Sequence, residues 1–266
     1  MSKRIVTGTT KQAKKTSGDK KKREKPPKLS EDEKAAKYGK NELVDYRLKF
    51  SPKNKKQEDL FNLIMEKQIV FVTGEAGSGK SFTCLSAALQ LLKQDNTYKE
   101  IMIVVPTVES GNMKIGFLPG PIEDKILPYV EADYYTIEKI LNLSGNNGKG
   151  ALSKLIESGL ITAQPISFMR GKTIDDKILI INESENFGKQ EMFLLLSRIS
   201  DTSKYILNGD NKQMDRRDIQ KEPNGLEYSE KRLKGNLEEV GFCHFNKEDI
   251  VRSKVISKIM DLWFDD

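Results

Sequence analysis

The amino-acid sequence predicts an α/β fold: a doubly wound, mostly parallel sheet with helices on both faces, preceded by a disordered basic tail. Three observations predict it. Short, continuous runs of apolar and β-branched residues recur along the chain, which is typical of strands buried on both faces of a parallel sheet. Amphipathic segments with helical periodicity alternate with these runs. A glycine-rich loop separates the first run from the helical segment that follows it.

The two ends of the chain differ sharply in charge, and this difference predicts the domain organisation. Residues 1–40 hold fourteen Lys and Arg against five Asp and Glu, a net charge of +9, and the rest of the chain carries −3. A segment so poor in apolar residues cannot offset the entropy of ordering. We therefore predict a disordered tail at 1–42 and one domain at 43–266. The tail could bind RNA or single-stranded DNA, because neutralised phosphates release counterions. It could equally be a solvated tail with only nonspecific affinity, since charge alone names no partner.

Composition limits the class of protein. The hydrophobic fraction is 37%, and no apolar run approaches the roughly 20 residues that span a bilayer. The polar N-terminus does not resemble a signal peptide, so we expect no membrane association and a cytoplasmic location. Cys84 and Cys243 do not make a disulfide framework. Cys243 and His244 are interpreted as neighbours in a strand, because no further ligand residues accompany them.

The individual elements follow from these patterns. The predicted strands are runs of apolar residues at 69–73, 101–105, 178–181, 204–207 and 240–245. The predicted helices show a 3.6-residue period and lie at 57–67, 80–93, 189–199 and 254–264. A Gly/Asn-rich segment at 144–150 is expected to form a loop between helical segments.

The loop after the first strand carries the strongest functional signal. Residues 74–81 read GEAGSGKS and match G-x-x-x-x-G-K-[ST], the phosphate-binding loop, in the required strand–loop–helix context. Glycines let backbone amides approach phosphate oxygens, and the helix N-terminus favours the anion. Lys80 is expected to reach the β- and γ-phosphates, and the Ser81 hydroxyl to ligate Mg²⁺. The predicted nucleotide-binding residues of this segment are Gly74, Glu75, Ala76, Gly77, Ser78, Gly79, Lys80, Ser81 and Phe82.

Two polar segments follow later strands and complete the predicted site. Asn182 and Glu183 end the third strand, where P-loop enzymes place a metal-side acid and a general base. Ser81, Asn182 and Glu183 are the predicted metal-side residues, although Asn182 supplies no charge. Nucleotide binding is therefore expected, whereas the rate of hydrolysis stays open. Gln213 follows the fourth strand and either orients water at the γ-phosphate or belongs to a polar turn.

Several ordered motifs together resemble the PhoH-like family of P-loop ATPases, from about Ser51 to the C-terminus. These motifs are the loop above, GFLPG at 116–120 with Lys125 and Pro128-Tyr129, FMRGKT at 168–173 with Asp176, NESEN at 182–186, Gly209-Asp210 with Gln213, and His244-Phe245 with Asp249 and Val251-Arg252. At 182–186 the family usually has Asp-Glu-Ala-Gln-Asn. The family also usually has Arg before the Pro that ends the second strand, where this chain has Val105.

The resemblance implies an ATP- and Mg²⁺-dependent domain related to the first RecA-like domain of superfamily 1 helicases. It implies that Gln57 contacts adenine, although an exposed helix residue is the alternative. The chain has no room for the second lobe that supplies arginines in those helicases. The resemblance therefore implies a homo-oligomeric ring, by family a hexamer, in which a neighbouring subunit completes the site. The candidate catalytic arginines are Arg198, Arg170 and Arg252, each of which could instead form a surface ion pair.

Two functions remain open from the sequence. The first is an ATPase that hydrolyses ATP to ADP and phosphate and is coupled to RNA or single-stranded nucleic acid as a translocase or helicase, with Lys80, Glu183 and Gln213 as its catalytic residues. The second is a weakly hydrolysing, nucleotide-gated binding or scaffold protein, which Asn182 and Val105 favour. A small-molecule kinase is a more distant third. The Lys-, Ile- and Asn-rich composition fits an AT-rich phage genome, which would place the protein in the host cytoplasm.

Overall fold

The computed structural model describes residues 45–106, 122–214, 223–251 and 255. The predicted tail at 1–42, the motif at 116–120, Arg252 and the predicted final helix other than Val255 lie outside the described residues. Within the described part, every strand pairing is parallel, and the sheet order is β3-β2-β4-β5-β1-β6. The α/β fold with a parallel sheet and helices on both faces is therefore confirmed.

Strands and helices alternate along most of the described chain. The strands are β1 (Ile69–Gly74), β2 (Glu100–Val105), β3 (Ile161–Pro165), β4 (Lys177–Ile181), β5 (Lys204–Asn208) and β6 (Val240–Phe245). The helices are α1 (Lys55–Glu66), α2 (Lys80–Gln94), α3 (Ile122–Leu143), α4 (Gly148–Glu157), α5 (Lys189–Leu196) and α6 (Gly225–Leu233).

The sheet is buried on both faces, as the apolar runs predict. In β1, Val70 and Val72 point into one core cluster with α1 to α4, and Ile69 and Phe71 point into a second cluster with α5 and α6. Successive side chains of a strand point to opposite faces. A continuous apolar run, and not an alternating one, is therefore what a central strand needs when helices cover both faces.

The predicted elements within the described residues lie where the structure has them, with small differences at their ends. Helix α5 ends at Leu196, because Ser197 caps it with backbone hydrogen bonds to Leu195 and Phe193. Strand β3 and helix α6 were not predicted from the sequence patterns. Strand β3 reads ITAQP and lies at the edge of the sheet, where a strand does not need a continuous apolar run.

Two buried polar side chains connect segments that are distant in sequence. The Tyr46 hydroxyl donates to the carbonyl oxygen of Leu89 in α2 over 2.8 Å. Lys204 begins β5 and donates from Nζ to the carbonyl oxygens of Ile64, over 2.6 Å, and Lys67, at the C-terminal end of α1. Burial lowers the pKa of Lys204 to about 8, and the negative charge of Asp95 opposes this shift.

The topology brings the motifs to one edge of the sheet. The carboxyl ends of parallel strands meet at the same edge, which is where ligands bind in open α/β sheets. The glycine-rich loop follows β1, Asn182 follows β4, and Gly209 follows β5. Strand β5 pairs with both β1 and β4. The residues after β5 therefore lie between the glycine-rich loop and the acidic segment.

Candidate nucleotide-binding site

The glycine-rich loop has a backbone that requires glycine. Gly74, Gly77 and Gly79 have φ of 119°, 84° and 86°, values that side-chain-bearing residues rarely adopt. A Cβ atom on Gly74 would lie 1.9 Å from the carbonyl oxygen of Phe245. Strand β6 therefore packs directly against the start of the loop. Below the loop, the Val251 amide donates to the Gly77 carbonyl over 3.2 Å.

Gln57 braces the loop from helix α1. Its Nε2 donates to the Ser78 carbonyl over 2.8 Å, and its Oε1 accepts from the Lys53 amide over 2.9 Å. A Cβ atom on Gly79 would lie 2.5 Å from this Nε2. Gln57 lines the cleft, but its amide is engaged at both ends. A contact with adenine, which the resemblance implies, would require one of these hydrogen bonds to be exchanged.

Lys80 begins helix α2 and folds back over the loop. Its Nζ donates to the carbonyl oxygens of Gly74 over 2.5 Å and Glu75 over 2.9 Å. Burial lowers the pKa of Lys80, and nearby acidic groups, Asp210 first, oppose the shift. The ammonium group is thus held at the mouth of the loop, 8% exposed, within reach of an anion bound at the N-terminus of α2.

A chain of hydrogen bonds runs from the loop across two strands to helix α3. Asn208 Nδ2 donates to Ser81 Oγ over 2.9 Å and to Asn182 Oδ1 over 2.8 Å. Asn182 Nδ2 in turn donates to Asp133 Oδ1 over 2.5 Å. Burial, and then the charge of Glu183, raise the pKa of Asp133 to about 7, while the hydrogen bond from Asn182 opposes the shift.

These groups fit a Mg²⁺ ion. The Oδ1 atom of Asn208 is buried and receives no hydrogen bond from the described residues, so it is free to accept one from a metal-bound water. It lies on the side chain that contacts both Ser81 and Asn182. Oxygen atoms of hydroxyl, amide and carboxylate groups, with several retained waters, are what Mg²⁺ prefers. Ser81 and Glu183 line the same cleft.

Glu183, the predicted general base, lies just beyond the carboxyl end of β4. It follows β4 with φ of 51°, a left-handed conformation that is uncommon for a non-glycine residue. Its side chain is exposed to the cleft that the loop, Asn208 and Asp210 also line. This cleft has a volume of about 930 Å³, which is large enough for a nucleotide.

Glu185 is a second, buried carboxyl beside Glu183. Its Oε2 accepts from the Asp210 amide over 2.9 Å. Burial, followed by the hydrogen bond and charge of Glu183, raises the pKa of Glu185 well above its ordinary value. The other oxygen, Oε1, is buried and receives no hydrogen bond from the described residues. The raised pKa means that Glu185 holds its proton more readily than an ordinary glutamate does.

Gln213 lies at the rim of the cleft and is exposed. Its Nε2 donates to Asp210 Oδ2 over 3.1 Å, and its backbone amide donates to the Asp210 carbonyl over 2.8 Å. The structure therefore brings Gln213, Glu183, Lys80 and Ser81 to one cleft. The role of Gln213 at a γ-phosphate stays a prediction.

The candidate arginines do not line this cleft. Arg170 is exposed and follows β3, at the carboxyl edge of the sheet but on its outermost strand. Arg198 lies at the opposite edge, where its carbonyl accepts from the Ile174 amide ahead of β4. The Nε of Arg198 is buried without a hydrogen-bond partner among the described residues. Arg252 lies outside the described residues.

Sequence reasoning missed three residues of the site. Asp133 and Asn208 carry the hydrogen-bond chain described above, and Glu185 forms the carboxyl pair with Glu183. Asn208 ends β5, so its position after a buried strand could have indicated it. His244, in contrast, stays within a strand as predicted, where its Nδ1 lies 2.8 Å from Thr73 Oγ1.

A parallel sheet with a glycine-rich loop between β1 and α2, Lys80 and Ser81 at the helix start, and a polar segment after β4 defines the class of P-loop NTPases with a RecA-like fold. A family model described as PhoH-like protein matches residues 49–263. The chain belongs to the PhoH-like protein family.

Curated relatives agree with this membership. The PhoH-like protein of Bacillus subtilis (strain 168) is 30% identical over 207 residues, which cover 78% of this chain and 61% of that protein. Protein PhoH2 of the same strain is 33% identical over 186 residues, covering 69% and 41%. Protein PhoH of Escherichia coli (strain K12) is 30% identical over 211 residues, covering 78% and 56%. The chain thus spans about half the length of these relatives.

A solved structure and the helix lengths add two further facts. The Pif1 helicase of Candida albicans matches 80% of this chain and 44% of that chain, with a TM-score of 0.40 and 16% identity. Among the helices of the described ranges, none combines the length and the apolar character that crossing a bilayer requires.

Proposed function

We propose that this protein binds ATP with Mg²⁺ in the cleft between the glycine-rich loop and the acidic segment, and hydrolyses it to ADP and phosphate. The observation that carries the proposal is the convergence of Lys80, Ser81, Asn208 and Glu183 on one cleft. Each is supplied by a different strand end or by the N-terminus of α2, as phosphoryl-transfer sites in this class require.

Each side chain has a distinct task in this reaction. Lys80 exchanges its loop carbonyls for the β- and γ-phosphate oxygens and neutralises the charge that develops there. Glu183 accepts a proton from the attacking water. The new P–O bond forms as the bond between the γ-phosphorus and the bridging oxygen breaks, which releases ADP and inorganic phosphate. Ser81 with the Asn208–Asn182 pair would hold Mg²⁺ and its waters, and the ion would supply neutralisation of phosphate charge.

We further propose that a neighbouring subunit of a ring supplies an arginine. The described cleft of one chain contains lysines but no arginine, and an arginine finger contributes about 10³–10⁵ in rate. Arg170 is the better candidate of the two described arginines, because it is exposed at the same edge of the sheet as the cleft. Arg198 lies at the opposite edge, and its guanidinium is partly buried.

Coupling to RNA or single-stranded DNA is supported by a surface on α5 and α6. Tyr228 is 38% exposed and lies under two cations, Lys189 at 5.1 Å and Arg232 at 5.4 Å from its ring centre. Phe193, on α5, is 72% exposed. Exposed aromatic rings among basic side chains are what proteins use to stack unpaired bases and bind the backbone. The basic tail would add sequence-independent affinity.

Steady-state ATP hydrolysis by the full chain, with and without single-stranded RNA, tests the proposal. Hydrolysis should vanish in Lys80→Ala and fall about 10²–10⁴-fold in Glu183→Gln, which removes the base but keeps the shape. Tyr228→Ala should leave basal hydrolysis intact and reduce the RNA stimulation. Hydrolysis that survives Lys80→Ala would contradict the assignment of this cleft.

Mixing experiments test the shared site. Lys80→Ala and Arg170→Ala should each be inactive alone, yet a mixture should regain part of the activity, because one interface then contains an intact loop and an intact arginine. The exposed Arg47, replaced by alanine, is the matched control and should keep full activity. A mixture that stays inactive would exclude Arg170 as the shared residue.

A nucleotide-gated binding protein with slow turnover is the second candidate, and Asn182 favours it. An amide in place of the metal-side carboxylate removes charge from the site. This candidate predicts tight ATP binding, negligible hydrolysis with or without RNA, and faster turnover in Asn182→Asp.

A further inference from the structure

Helix α3 places a buried carboxylate directly behind Asn182. Asp133 is 6% exposed and contacts Asn182 through the 2.5 Å hydrogen bond between Oδ1 and Nδ2. Among the described residues, no other group donates to Asp133. Its neighbours on the helix, Ala132, Tyr135 and Thr136, line the cleft, whereas Asp133 does not. The described contact of Asp133 with the site therefore runs through Asn182.

A carboxylate in this position is costly for folding alone. Burying an ionised group is unfavourable unless it is paired or hydrogen-bonded, and one neutral amide compensates for it only in part. The rest of the buried side of α3 is apolar, with Ile126, Val130, Ile137 and Ile140 in the core. An apolar residue at 133 would suit this packing better, so core packing does not explain the carboxylate.

The hydrogen-bond chain through Asn182 explains the presence of the carboxylate. A carboxylate only accepts hydrogen bonds, so Asp133 holds the Nδ2 of Asn182 toward itself and turns the Oδ1 toward Asn208 and the metal side. The negative charge at the end of the chain also polarises the amide, because hydrogen bonds in series strengthen one another. The amide oxygen thus gains the orientation, and part of the charge, that a carboxylate at 182 would have.

We propose that Asp133 is a positioning residue for the metal side of the nucleotide site: together with Asn182 it replaces a carboxylate at position 182. The carboxylate lies on the facing helix, and Asn182 relays its effect. This inference rests on the nucleotide-binding function proposed above. It predicts that metal affinity depends on Asp133 and that the two positions can exchange their roles.

The test measures Mn²⁺ binding to the full chain with ADP present, from the free-Mn²⁺ electron paramagnetic resonance signal, alongside binding of a fluorescent ADP analogue in EDTA. Asp133→Asn should weaken Mn²⁺ binding about 10- to 100-fold, as loss of an outer partner of a metal ligand does. Its affinity for ADP in EDTA should stay within about twofold, because the loop is untouched. The exchanged variant Asp133→Asn with Asn182→Asp should recover most of the Mn²⁺ affinity.

Asp176→Asn is the matched control. It also removes one carboxylate, from the opposite end of β4, at a positive φ that asparagine tolerates. It should leave both affinities unchanged, and thermal melts should show that all variants fold. If Asp133→Asn binds Mn²⁺ like the wild type, or if the exchanged variant is as weak as Asp133→Asn, the inference is overturned. A wild type that binds no ADP in EDTA would instead refute the nucleotide-binding function itself.

Discussion

Gly74 is a position at which the structure predicts a sharp effect of a single methyl group. In Gly74→Ala, the new Cβ atom would start 1.9 Å from the carbonyl oxygen of Phe245, and Cβ contacts below 3.0 Å essentially never occur. The chain must therefore open by roughly 1 Å between the loop and β6, which makes this a case of overpacking against backbone. A flexible side chain could rotate away, whereas a strand carbonyl cannot.

The magnitude combines two effects. Forcing a side chain into positive φ costs about 1–2 kcal/mol, and overpacking adds about 1–3 kcal/mol. Gly145→Ala separates the two, because Gly145 has φ of 84° but nothing within 4 Å of its Cβ position. Gly145→Ala should therefore lose only the conformational part, and Gly74→Ala about 1–3 kcal/mol more.

Urea unfolding followed by far-ultraviolet circular dichroism measures both variants. The midpoints should move to lower urea at an unchanged slope, because the exposed surface is the same. Gly74→Ala should also bind a fluorescent ADP analogue more weakly than Gly145→Ala does, since the displaced segment is the phosphate loop. Equal stability of the two variants would refute the close packing of β6 on the loop.

Three other substitutions have defined outcomes. Lys204→Met should lower the free energy of unfolding at pH 7 by about 1–3 kcal/mol, because two carbonyls at the end of α1 lose their donor. The pKa of Lys204 is lower in the folded chain than in the unfolded chain, so the unfolded chain binds more protons between about pH 8 and 10.5. The free energy of unfolding should therefore rise with pH across this window in the wild type but not in the variant. Urea unfolding at pH 8 and at pH 10.5 measures this difference. Tyr46→Phe should cost about 1 kcal/mol in the same assay. Gln57→Ala should weaken binding of the ADP analogue, and if Gln57 reads adenine, the variant should also lose any preference over the GDP analogue.

The central strands and the phosphate loop could be predicted because their signals are local. Each buried strand is a continuous apolar run, and the residues of the loop are contiguous, so neither needs knowledge of the tertiary structure. Strand β3 has no such signal, since an edge strand with Thr, Gln and Pro is indistinguishable from a loop. The bounds of α5 depend on backbone capping by Ser197, which periodicity does not reveal.

The partners of the site residues could not be predicted, because they depend on contacts between distant segments. Asp133 is 49 positions from Asn182 in sequence, and only the packing of α3 over the sheet brings them together. Glu185 was visible as an acid, but burial beside Glu183 raises its pKa and so favours its protonated state. In that state it has the shape and the donor of a glutamine, which is the residue that the family usually has there.

The structure and the sequence motif therefore lead to different expectations for substitution of Asn182. Judged by the motif, the amide removes a charge, and Asn182→Asp should restore turnover. In the structure, that substitution would place a second carboxylate within hydrogen-bond distance of Asp133, and two acids so close share one proton. If Asp133 supplies the missing charge, Asn182→Asp alone should raise turnover little. The new carboxylate should raise turnover only in a chain that already carries Asp133→Asn. The nucleotide-gated candidate expects faster turnover from Asn182→Asp alone. The effect of this substitution, with and without Asp133→Asn, therefore separates a slow nucleotide-gated protein from an ATPase whose acid lies on helix α3.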